Sequence, residues 1–142
     1  MELGDVALEQ ESHLAVERGV TGLVHSAGVL ADALLPNQTQ AGLQKVWGPK
    51  AAAARAMHRA GCETNNKLEL FVLFSSVAAL LGNPGQANYA AANVSLDALA
   101  SHRRAHGGAA ASVARRMPAS SDASPPAHTA ATPPSRAAST KR

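Results

Sequence analysis

Tyr89 and Asn93 stand four residues apart in an alanine-rich stretch, Ser75 and Ser76 close an apolar run, and Lys50 follows a Gly-Pro pair. Residues at i and i+4 of a helix share a face, so the phenol and the amide point the same way. A phenol with an ordinary pKa of about 10 is a weak acid at neutral pH, and a cation held beside it favours the phenolate. With a serine hydroxyl in reach, such a group can give its proton to a carbonyl oxygen that is becoming an alkoxide. Each residue also has a plainer reading. A tyrosine opening an alanine-rich helix is more often packing, Ser75 reads as a strand-end hydrogen bonder, Lys45 as a solvated helix residue and Trp47 as a core anchor. His25 reads as a satisfied structural histidine. His13, His58, His102, His106 and His128 show no metal-ligand spacing, and Arg103-Arg104 reads as a solvated helix end.

The elements that must position these groups alternate. Leu8, Ser12, Ala15 and Val16 fall at helical spacing before Gly19, and VTGLVH (20–25) is a short apolar run ending in the small-residue turn Ser26-Ala27-Gly28. Thr39 is the expected N-cap of the next helix, whose apolar stripe is Leu43, Val46, Trp47, Ala51 and Ala54. Gly48-Pro49 should bend or restart that helix, because proline lacks the N–H and fits only a first turn. A polar loop, GCETNN (61–66), leads into a strand over 68–74, and a Gly/Pro loop leads into a helix over about 88–106. Basic residues and Gly107-Gly108 close that helix. Residues 111–114 suit one more short strand. Strand and helix in alternation predict an α/β layer with a parallel sheet.

At 142 residues the chain allows one domain of ordinary size, and 46% hydrophobic content says that part of it packs. With only 3% aromatics, much of that content is alanine, so the core is small-grained. The net charge of the chain is a modest +3, and the arginines of its C-terminal third are spread rather than gathered into one stripe, without interleaved aromatics, so nucleic-acid binding is without support. The single Cys62 cannot form an internal disulfide. No signal-peptide pattern opens the chain and no apolar run approaches a membrane span, so the expected location is cytoplasmic, or an organelle whose targeting sequence is absent. From Met117 onward there is no Leu, Ile or Val, and two Pro-Pro pairs occur. Such a segment cannot offset an ordering entropy of about 1–2 kcal/mol per residue, so residues 117–142 are expected to be a disordered Pro/Ala/Ser-rich tail after a domain over 1–116.

The runs HSAGVLAD, PKAAAARAM and LELFVLFSSVAALLGNPGQANYAAANVSLDALASHRRAHG together resemble the ketoreductase domain of type I polyketide synthases, within the short-chain dehydrogenase/reductase superfamily. The resemblance covers roughly 5–114 and is most specific over 70–107. Most short-chain dehydrogenases carry Tyr-x-x-x-Lys; this chain carries Tyr89-Ala-Ala-Ala-Asn93, a mark of the polyketide branch, where the lysine comes from the preceding Pro-Lys, here Lys50. The resemblance implies a Rossmann-like parallel sheet with flanking helices. It makes Tyr89 the general acid and Ser76 the hydrogen bonder to the substrate carbonyl, with Lys50 stabilising the phenolate and relaying protons with Asn93. It implies NADPH as cofactor, with Asp5-Val6 at the adenine and the Ala27-Gly28 turn near the ribose, and no metal. The substrate would be a β-ketoacyl thioester on an acyl carrier protein, in polyketide or related fatty acid synthesis, beside other synthase domains. Leu30-Ala31-Asp32 stands where the family has Leu-Asp-Asp, and Asp32 with Leu81 leans toward the B-type stereochemical class.

Two departures set limits. The family's TGxxGxxG turn, which seats the pyrophosphate at a helix N-terminus, has no counterpart, and Arg115-Arg116-Met117 replaces a Trp-Gly-Pro continuation. The domain is therefore expected to be incomplete at both ends, a truncated fragment inactive by itself. The alternative is a non-catalytic remnant or interaction module that binds no cofactor.

Overall fold

The computed structural model describes residues 17–63 and 68–116. The helix expected after Val6, the Asp5-Val6 pair itself and the tail over 117–142 lie outside the described residues. Three strands, β1 (Gly22–His25), β2 (Leu70–Ser76) and β3 (Ala111–Arg115), form one sheet in the order β1-β2-β3. Both pairings are parallel, with Val24 opposite Val72 and Phe74 opposite Val113. Parallel neighbours need helical crossovers. The first consists of α1 (Gln40–Trp47) and α2 (Ala53–Glu63), and the second of α3 (Ala78–Leu81) and α4 (Ala87–Ala105).

Thr39 caps α1 as its sequence position predicts, its Oγ1 accepting from the Gly42 N–H at 3.0 Å. Gly48-Pro49 neither breaks nor restarts the helix. Residues Gly48–Ala52 widen into one π turn joining α1 to α2, and the Ala53 N–H reaches the carbonyls of Gly48 and Lys50. The missing proline N–H is absorbed by the bulge, which also sets Lys50 on the inner face. β2 runs two residues later than expected, so Ser75 and Ser76 belong to the strand rather than following it. The loop after it contains α3, which the sequence pattern did not suggest, and Gly82 closes α3 at φ +70°.

Side chains alternate across β2, so Phe71, Leu73 and Ser75 share a face. Phe71 and Leu73 pack there with Ala54 of α2 and Leu96 and Ala100 of α4. Each large side chain so buried contributes about 1.5–3 kcal/mol. A second cluster joins Val46, Ala51, Tyr89 and Ala92, with Trp47 half-buried at its edge. Leu43 does not join the predicted stripe; it is exposed, because the stripe turns away from solvent only at Val46. Val24, Leu70 and Val113, on the opposite face of the sheet, are also exposed.

Arg103 corrects the reading of a solvated helix end. Arg104 is exposed, but Arg103 is buried with its guanidinium 4.4 Å from the Phe71 ring centroid. It donates from Nε to the Ala109 carbonyl at 3.3 Å and bonds through Nη1 to His58 Nδ1 at 2.8 Å. The arginine thus fastens the chain after α4 back onto that helix.

Candidate active site at the carboxyl ends of the strands

In parallel α/β sheets, chemistry gathers beyond the carboxyl ends of the strands, and these ends here are His25, Ser76 and Arg115. Among the side chains with polar ends that are buried in the fold are Lys50, Ser76, Tyr89 and Asn93. Their burial alone is informative, since polar groups are rarely taken from water without partners or purpose.

Lys50 enters from the π turn. Its Nζ donates to the Phe74 carbonyl at 2.9 Å and to the Ala27 carbonyl at 3.4 Å, and stands 5.5 Å from the Tyr89 ring centroid. Burial holds its pKa below the ordinary lysine value, and the Asp97 carboxylate opposes that shift. Gly28 matters at this point: a Cβ there would stand 3.4 Å from Nζ, so the small residue lets the ammonium approach the end of β1. His25 accordingly proves structural. Its Nε2 bonds to the Lys50 carbonyl at 2.9 Å, fixing the π turn to β1, and burial lowers its pKa.

α4 presents Tyr89 and Asn93 on its inner face. The first turn is set by Asn88, whose Oδ1 accepts from the Tyr89 N–H at 2.7 Å while its Nδ2 donates to the Ala31 carbonyl at 2.7 Å. Gln86 Nε2 donates to Asp32 Oδ2 at 3.1 Å, so the loop after β1 is tied to the start of α4. Asn93 Nδ2 donates to the Tyr89 carbonyl at 2.7 Å, within its own helix. Its Oδ1 is the one buried side-chain polar atom without a hydrogen-bond partner among the described residues. A fully buried acceptor in that condition costs about 1–3 kcal/mol, so it marks a place where a donor belongs.

Ser76 Oγ accepts from the Ala78 N–H at 3.2 Å. That bond occupies a lone pair and leaves the hydroxyl proton without a partner among the described residues. Ser76 lines a cleft of about 460 Å³ with Val77, Ala78, Leu81, Gln86 and Arg116. A larger cavity of about 560 Å³, lined by His58, Cys62, Glu69 and Arg103, lies at the other end of β2 and shares none of these residues. Its size does not make it the site, because Arg103 there already serves the backbone.

The structure therefore brings the Lys50 ammonium to the Tyr89 ring and to the Phe74 carbonyl, two residues before Ser76, with Asn93 bonded to the Tyr89 carbonyl and with Ala27 and Gly28 exposed beside the lysine at the end of β1. Asp5 and Val6 lie outside the described residues. The sequence reading passed over Asp97, which accepts from Ser75 Oγ at 3.1 Å and also from Ser112 Oγ. Its signal was present, one turn beyond Asn93 on the same helical face, but an acid in an exposed-looking SLDALAS run does not stand out.

Residues 5–119 match the KR domain family. Among curated proteins, the chain is 50% identical to polyketide synthase GfsA of Streptomyces halstedii over 99 residues, covering 70% of this chain and 1% of the synthase. It is 40% identical over 111 residues to the mellein synthase of Phaeosphaeria nodorum, 75% of this chain and 6% of that protein. The first ketoreductase of the tylosin synthase superposes at a TM-score of 0.69 and 40% identity, over 75% of this chain and 23% of its own. An A-type ketoreductase of a modular polyketide synthase gives 0.68 and 41%, over 78% and 24%. The chain thus spans about a quarter of these solved chains and a small part of the synthases, and the part it spans holds the tyrosine, serine, lysine and asparagine. It belongs to the ketoreductase domain family of type I polyketide synthases, with the short-chain dehydrogenase/reductase fold.

Proposed function

We propose that this segment supplies the proton-transfer side of an NADPH-dependent reduction, in which a β-ketoacyl thioester carried on an acyl carrier protein becomes a β-hydroxyacyl thioester. The observation that supports it most is the Lys50 ammonium, which stands 5.5 Å from the Tyr89 ring centroid and bonds to the Phe74 carbonyl, two residues before Ser76, whose side chain lines a cleft at the carboxyl end of β2. The substrate ketone would sit in that cleft with its oxygen toward Ser76, whose unshared hydroxyl proton is available to it. Tyr89 then gives its proton to the oxygen as negative charge develops there, and the Lys50 ammonium behind the ring stabilises the phenolate left behind. Asn93, with its unpartnered oxygen, is suited to accept from a donor that returns the proton. The exposed Ala27-Gly28 turn, small and beside a cation, fits the ribose side of a nicotinamide cofactor, whose hydride completes the reduction when it is bound.

The second reading is a ketoreductase remnant that keeps the fold and does no chemistry. It is favoured by Arg115-Arg116 where the family continues Trp-Gly-Pro. A graft separates the two: residues 20–116 replace the matching segment of an intact homologous ketoreductase, and NADPH oxidation is followed with a short β-ketoacyl thioester. The catalytic reading expects turnover; a folded graft that binds NADPH and does not turn over contradicts it.

A further inference from the structure

Behind the groups of the candidate site sits an acid to which the reaction gives no direct part. Asp97 is one turn after Asn93 and two after Tyr89, on the same side of α4. One of its oxygens, Oδ2, accepts from Ser75 Oγ at 3.1 Å; the other, Oδ1, accepts from Ser112 Oγ. Ser75 Oγ also lies 3.4 Å from the Asn93 carbonyl. Ser75 is flanked on β2 by Phe74, whose carbonyl takes the Lys50 ammonium, and by Ser76. Ser112 is on β3.

We propose that Asp97 is a positioning residue of this site: its carboxylate clamps the carboxyl end of β2 and the start of β3, through Ser75 and Ser112, to α4, fixing Ser76 and the Phe74 carbonyl relative to Tyr89 and Asn93. The inference rests on the catalytic reading above, but it does not need turnover to be tested. Hydroxyl bonds to a charged acceptor are stronger than neutral ones, so the clamp holds the strands more firmly than a serine–amide contact would. The same charge stabilises the Lys50 ammonium against its burial. The other groups around Lys50 do not replace it. From β1 comes His25, which bonds to the lysine's backbone carbonyl; from α4 comes the Tyr89 ring; from β3 comes Arg115, a cation, across the ring of Phe74.

Two variants of the 142-residue chain separate charge from clamp. Asp97→Asn can still bridge both hydroxyls, accepting through Oδ1 and donating through Nδ2, but carries no charge. Ser112→Ala keeps the charge and removes one arm. With lysines labelled at Cε by carbon-13, and Lys50 identified by its loss in Lys50→Arg, the titration of Lys50 is followed by NMR. Asp97→Asn is expected to move the Lys50 midpoint to lower pH with far-UV circular dichroism unchanged. Ser112→Ala is expected to leave the midpoint in place while shifting the amide signals of residues 74–76. An unmoved midpoint in Asp97→Asn, or unmoved 74–76 amides in Ser112→Ala, overturns the proposal. Failure of the graft to turn over would instead strike the catalytic reading and leave this result standing.

Discussion

The two faces of the sheet differ in kind. On one, Phe71 and Leu73 are buried under α2 and α4, Ser75 is bonded to Asp97, and the lysine and tyrosine meet at the strand ends. On the other, Val24, Leu70 and Val113 are exposed, 57%, 49% and 42%, with no described helix against them. Parallel sheets are stable when both faces are covered, because βαβ connections place helices on both. Both crossovers described here pack on the same face, so this segment builds a finished face and an unfinished one. The chain spans about a quarter of the solved ketoreductases it matches, and Tyr89 and Asn93 stand on α4, one of the helices that cover the finished face.

The contrast is tested most harshly at Phe71. Replacing it with alanine removes an aromatic from the centre of the finished face and is expected to cost about 3–5 kcal/mol in urea-induced unfolding. That is a large share of the about 5–15 kcal/mol by which domains are ordinarily stable. Leu96→Ala, which opens the same cluster from α4, is expected to cost about 2–5 kcal/mol. An outcome under 1 kcal/mol at both positions would mean that the covered face is not the core.

Acid should attack the same side. His25 and His58 both have pKa values lowered, first by burial, so each is held neutral in the fold and takes up its proton more readily once unfolded. The unfolded chain then binds more protons as pH falls through the ordinary histidine value of about 6.5, so stability is full above that value and is lost below it. The thermal midpoint is expected to fall between pH 7.5 and pH 5.5. His25→Gln should flatten that slope, and a midpoint constant across the interval would contradict the assignment.

The smallest effect is expected on the open face. Val113→Ala should change the stability of the isolated chain by about 0.5 kcal/mol or less, as at other surface sites. In the graft, where further elements are supplied, the same change should cost visibly more. Equal effects in both settings would mean that nothing covers the face.

How much of this the sequence disclosed follows from what each feature depends on. The alternation of strand and helix, the Thr39 cap and the Tyr89–Asn93 spacing are local, and local patterns are readable from one chain. The place of Lys50 was readable only through its Pro-Lys match to a family, since nothing in spacing tells a lysine 39 residues before Tyr89 that it will lie beside its ring. The π turn was hidden because Gly-Pro signals an irregularity without saying whether the helix breaks or bulges. Arg103 looked like a solvated charge because its partners, Phe71 and His58, come from a strand and a helix far back in the chain. Asp97 was missed for the same reason: its serines lie on two different strands, and only the sheet register brings them together.

The most direct test of the central claim is Tyr89→Phe within the graft, with kcat and NADPH affinity measured side by side. Loss of a general acid of this kind lowers the rate by about 10²–10⁴. We therefore expect kcat to fall at least 100-fold with NADPH affinity essentially unchanged. A variant that keeps kcat within tenfold of the parent graft would show that the Tyr89 phenol is packing and not the proton donor.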